Sequence, residues 1–116
     1  MDPIPVFFEN VKRCALILKP KKPFFDWLNS IDPIDSELTV HDDSAVYLLP
    51  DFEEKSQIQN WLKKNFDELF CDQLNNWYID DTLWVKNRSF EMFKEWFDYS
   101  MYTMIWDTLE EPIEKI

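Results

Sequence analysis

Five of the 12 basic residues in this chain, Lys12, Arg13, Lys19, Lys21 and Lys22, fall within 11 positions. The other seven face all 23 acidic residues, so the rest of the chain carries −16 against a net charge of −11. Ammonium groups at a strand-to-helix junction suit a phosphate, a carboxylate or an acidic peptide. The free N–H groups of a helix N-terminus attract anions, and open sheets bind ligands beyond the carboxyl ends of their strands. Lys19, Lys21 and Lys22 occupy such a junction and form the candidate ligand-binding set. The same lysines also suit a plainer task, flanking a buried strand and pairing with nearby acids.

Other reactive groups are sparse. His41 with Asp42 and Asp43 is the one place where a histidine meets carboxylates. One imidazole without clustered cysteines falls short of a zinc ligand set, and adjacent acids are ordinary turn chemistry. The pairs Glu53/Glu54 and Asp80/Asp81 could divide acid and base roles only if burial split their pKa values. Cys14 sits in an apolar run that disfavours a thiolate, and Cys71 falls at an expected helix end. Two cysteines make no disulfide framework, so both are expected to be reduced and structural. No catalytic residue, metal or cofactor is assigned. A second candidate set, for partner binding, is Trp77, Tyr78, Trp84 and Arg88, because Trp, Tyr and Arg are enriched at binding hot spots. The plainer reading is that these rings pack as a lid over the helices.

Composition narrows the classes. The chain has 116 residues, 46% hydrophobic and 17% aromatic, enough for one domain with a core built from large rings. Glycine is absent, which removes the glycine-rich phosphate loops and leaves Asn and Asp to supply any positive backbone angle. The acidic balance disfavours nucleic acid. No apolar run is long enough to span a membrane, and Met1-Asp2-Pro3 does not open a secretory leader, so a cytoplasmic protein without membrane contact is expected.

The elements that must position these residues follow from periodicity. Cys14 to Leu18 reads as a strand buried on both faces, and Ala45 to Leu49 as a second. Pro23 opens a helix that presents Phe24, Trp27, Leu28 and Ile31 on one face. Together they predict a βαβ unit with parallel strands. Asp51 and Glu54 resemble a capping box for a long helix that buries Ile58, Trp61, Leu62, Phe66, Leu69 and Phe70. From Ser89, a good N-cap, a last helix is predicted to run to Leu109, burying Phe93, Trp96, Phe97, Met101, Met104 and Ile105. A third strand is required, from Val6 to Phe8, Leu38 to Val40 or Leu83 to Val85, unless a homodimer extends the sheet. The predicted fold is α/β or α+β: a small sheet containing a βαβ unit, covered by three helices, the last two long and aromatic-rich. Residues 1–10 would be an arm or edge strand and 110–116 an exposed tail of a single domain.

The pattern Lys19-Pro20-Lys21-Lys22-Pro23-Phe24 with Asp26-Trp27, then Trp77-Tyr78, Leu83-Trp84, and Phe93 with Glu95-Trp96-Phe97, resembles a group of small uncharacterised bacterial proteins. The resemblance spans residues 12 to 109. It implies a compact bacterial domain and carries over no activity. The chain therefore reads first as a non-catalytic protein-protein interaction module, an adaptor or an inhibitor of a basic partner. The alternative is a small anion-binding domain or enzyme that uses Lys19, Lys21 and Lys22.

Overall fold

The computed structural model describes residues 7–31 and 44–116. In chain order the elements are β1 (Glu9–Val11), β2 (Cys14–Pro20), α1 (Lys22–Ile31), β3 (Ala45–Leu49), α2 (Lys55–Asn75), α3 (Phe90–Trp96), β4 (Phe97–Tyr102) and β5 (Ile105–Asp107), with a 3-10 turn over Asp81–Leu83. The fold is mixed α+β. One sheet has the order β3-β2-β4, the other pairs β1 with β5, and every pairing is antiparallel.

The apolar run at Cys14 becomes the central strand, paired along both edges and with one face in the core. Cys14, Leu16 and Leu18 point into a core closed by Phe24, Leu28, Ile58, Leu62, Phe70, Phe93 and Phe97. Phe97 is the hub of its aromatic part, with ring centroids 5.2 Å from Phe93 and 5.4 Å from both Phe24 and Phe70. Such offset and edge-on pairs add to simple area burial. Cys14 Sγ, fully buried, lies 3.2 Å from both the N–H and the carbonyl oxygen of Phe52, and so satisfies the backbone just before α2. Both cysteines are free.

Sheet and helices are joined from the covered side by Tyr47. Its hydroxyl donates to Asp72 Oδ2 at 2.6 Å and accepts from Gln73 Nε2 at 2.7 Å. Burial, and after it the Asp72 hydrogen bond, push the phenol well above its ordinary range. Gln73 is buried and reaches a partner, as a buried amide must.

Three expectations are corrected. First, β2 and β3 pair antiparallel, with Leu18 beside Ala45 and Cys14 beside Leu49. The chain re-enters the sheet at the end where β2 finishes, so no parallel crossover forms. Second, the last helix is seven residues long. Ser89 caps it as expected, its side chain accepting from Met92 N–H, but at Phe97 the chain becomes β4. The segment predicted as helix thereby supplies the third strand, while Leu83 lies in the 3-10 turn, and Leu38 to Val40 and Val6 lie outside the described residues. Third, α2 starts four residues after Asp51; Glu54 is its N-cap, and Gln57 Oε1 accepts from the Glu54 backbone N–H at 3.0 Å.

The two sheets form one bent ribbon. Positions 9 to 11 face 107 to 105, and 15 to 20 face 102 to 97, which leaves three residues on the first strand opposite two on the second. That is a one-residue β-bulge, closed by a 2.8 Å bond from Arg13 N–H to the Val11 carbonyl. Beyond the bulge neither Val11 nor Ile105 joins the core.

Candidate partner-binding loop

The stretch 76–88 is irregular backbone between two helices, and each of its turns is tied down. The α2 terminus is closed by Trp77 and Tyr78 N–H groups donating to the Leu74 carbonyl at 3.1 and 3.0 Å. Trp84 Nε1 donates to the Tyr78 carbonyl at 2.7 Å, drawing the two ends of the loop together. Trp27 Nε1, from α1, donates to the Leu83 carbonyl at 2.9 Å, and its ring stands edge-on to Tyr78 with centroids 5.8 Å apart. Asp80 Oδ1 accepts from Thr82 N–H at 3.0 Å and from Thr82 Oγ1 at 2.7 Å. These two bonds, the hydroxyl's first, hold the Asp80 carboxyl below its ordinary pKa. At the far end Asn87 takes φ 58°, a left-handed angle that asparagine tolerates and that glycine would otherwise supply.

Arg88 clamps the loop to α2. Its Nε lies 2.7 Å from Asp67 Oδ1 and its Nη1 2.8 Å from the Val85 carbonyl. The Asp67 hydrogen bond raises the guanidinium pKa, so its charge is fixed. Cys71 sits beside this pair, and desolvation raises its thiol pKa more than Arg88 lowers it. A neutral thiol is a poor nucleophile.

The loop therefore brings Trp77, Tyr78, Trp84 and Arg88 together, but divides their work. Tyr78, Trp84 and Arg88 hold the backbone, and only Trp77 of the four presents its ring outward, at 43% exposure. Two residues missed in the sequence stand beside it, Ile79 at 86% and Leu83 at 40%. Ile79 stands two residues after Trp77 and four before Leu83, and is followed directly by Asp80 and Asp81. An apolar residue set against two acids in a segment expected to be a loop is the signal that could have found it.

Each of the three lysines stands beside an acid. Lys21 N–H donates to the Trp96 carbonyl at 2.8 Å, and its ammonium reaches the Lys94 carbonyl at 3.3 Å and Asp98 at 3.7 Å. It thus closes the C-terminal end of α3, where a cation complements the free carbonyls. Lys22 pairs with Asp26 one turn on at 2.9 Å. Lys19 stands opposite Asp98 on the adjacent strand. His41, Asp42 and Asp43 lie outside the described residues. No cluster of three or more His, Cys, Asp or Glu that could hold a metal occurs among the described residues, and no helix there is long and apolar enough to cross a membrane.

Comparison with protein-family models, with curated proteins and with solved structures finds no match to the chain.

Proposed function

We propose that this chain is a non-catalytic protein-interaction module, an adaptor or an inhibitor, whose 76–88 loop docks a basic partner. The observation that carries the reading is the pairing of an outward apolar group, Trp77, Ile79 and Leu83, with Asp80 and Asp81 on a backbone fixed by Trp27, Trp84 and Arg88. A fixed backbone lowers the ordering cost of binding, and an exposed ring with apolar neighbours and carboxylates suits a partner that presents lysine or arginine around an apolar residue. The net charge of −11 supplies long-range attraction for the same partner.

The test is titration with a lysine-rich peptide containing leucine, followed by tryptophan fluorescence at low and high salt. Binding is expected to weaken with salt, and Trp77→Ala with Ile79→Ala is expected to weaken it by about 2 kcal/mol or more while leaving the melting temperature almost unchanged. Equal affinity for wild type and the double variant would overturn the assignment to this loop.

A further inference from the structure

We infer that a second copy of this chain docks on the uncovered face of the sheet. The helices pack on the side of β2 that carries Cys14, Leu16 and Leu18. The opposite side carries the rows Leu48, Ala15, Tyr102 and Val46, Ile17, Ser100, set directly across the three strands. Tyr102 ends β4 on this side, and the alternation of exposed and half-buried residues continues past the bend at 103–104, where Met104 and Trp106 extend the exposed apolar surface along the ribbon. Val46 and Met104 are each 63% exposed and Trp106 is 52% exposed. A continuous apolar strip of this kind on an otherwise charged molecule marks an interface.

Charge selects the occupant. The strip from Lys19 to Trp106 contains one cation and one anion, Lys19 and Asp98, which face each other in register. The groove beside it is walled by two further cations, Arg13 and Lys115, and by no acid, so on a chain of −11 a basic protein gains least here, while a second acidic copy meets least repulsion. The borders of the strip complement each other between copies. Lys12 and Arg13 at the bulge take part in no ion pair among the described residues, and the exposed tail carries Glu110, Glu111 and Glu114. The face also offers both halves of a self-complementary contact. Trp106 projects from it, and a groove of about 390 Å³ opens beside Leu48, walled by Val11, Arg13, Ile113 and Lys115.

Sedimentation equilibrium of the full chain tests this up to about 0.2 mM, where even a weak, micromolar dimer is populated. Wild type is expected at twice the chain mass. Val46→Lys with Met104→Lys, both at exposed positions, is expected to weaken the dimer by at least about 100-fold. Ile79→Lys, at a still more exposed position but on the loop, is expected to leave it intact. A monomeric wild type, or a double-lysine variant that stays dimeric, overturns the inference. Should the double variant fail to fold, a nitroxide on Ser100→Cys in a Cys71→Ser background decides the matter. Dipolar coupling between labels supports facing sheets, and its absence overturns them. Peptide binding at the loop is read separately, so either claim can fail alone.

Discussion

Trp77, Ile79 and Leu83 stand on a loop held by bonds within itself and to α1 and α2, whereas Tyr102 and Trp106 stand on strands held by their neighbours in the ladder, with Met104 between them. The difference lies in where the backbone hydrogen bonds go. A strand satisfies its N–H and carbonyl groups through pairing, so its outward side chains are spared that task. An irregular segment must borrow side chains to do the same, and here two indole N–H groups and a guanidinium are consumed in holding it. Substitution at the loop's anchors should therefore damage structure, while substitution on the open face should damage only association.

The sharpest way to break that contrast is Trp27→Ala set against Met104→Ala in urea unfolding of the monomeric chain. Trp27 is 9% exposed and supports both Tyr78 and the Leu83 carbonyl, so its loss is expected to cost about 3 to 5 kcal/mol. Met104→Ala should stay within about 0.5 kcal/mol. Similar costs for the two would dissolve the distinction.

A smaller effect sharpens the sheet side. Tyr47→Phe leaves Gln73 Nε2 without its acceptor and is expected to cost about 1 to 2 kcal/mol. Because the folded state raises the phenol pKa, the stability tied to its neutral form is complete below pH 10, the ordinary phenol value, and is lost as pH rises beyond it. There the unfolded chain ionises and the folded one resists. Melting temperature measured between pH 8 and pH 11 (a range set about the ordinary phenol pKa of roughly 10) should fall less steeply in Tyr47→Phe than in wild type.

The smallest effect expected is that of Lys22→Ala. Its pair with Asp26 is exposed and one turn apart on α1, so the cost should be about 0.3 to 0.5 kcal/mol and should vanish in high salt. A salt-independent loss above 1 kcal/mol would mean that the junction does more than compensate charge (the threshold lies just beyond the roughly 1 kcal/mol ceiling for exposed pairs).

Much of the fold was legible because burial on one or two faces leaves a period. The strand at Cys14, the strand at Ala45, the stripe of α2 and the cap at Ser89 all stand where periodicity places them. The segment after Phe97 did not, because Phe97, Met101, Met104 and Ile105 satisfy a step of three or four as well as Phe97, Tyr99, Met101 and Ile105 satisfy a step of two. Composition could have separated the two. Residues 97–107 contain no Ala, Leu, Glu, Lys, Gln or Arg, and are rich in the aromatic and β-branched types that favour strands. The antiparallel pairing of β2 with β3 was hidden for a different reason: the end at which a chain re-enters a sheet is decided by tertiary packing. Of the candidate site, the loop's rings were legible as a group, yet which ring faces outward was not, since that depends on Trp27 reaching Leu83 from 56 positions away.

The place of β2 at the centre of the sheet governs how the chain can assemble. Ala15 lies beside Leu48 on one side and Tyr102 on the other, 33 and 87 positions along the chain. Closing the longer of these gaps costs chain entropy that only the finished ladder and the Phe97 hub return. The helices can form early from local contacts, but the sheet must wait for the far end of the chain, so folding should run slowly for a protein this size. A nascent chain that stops short of β4 holds its most apolar strand with one edge unpaired, the state in which such strands are most prone to join one another.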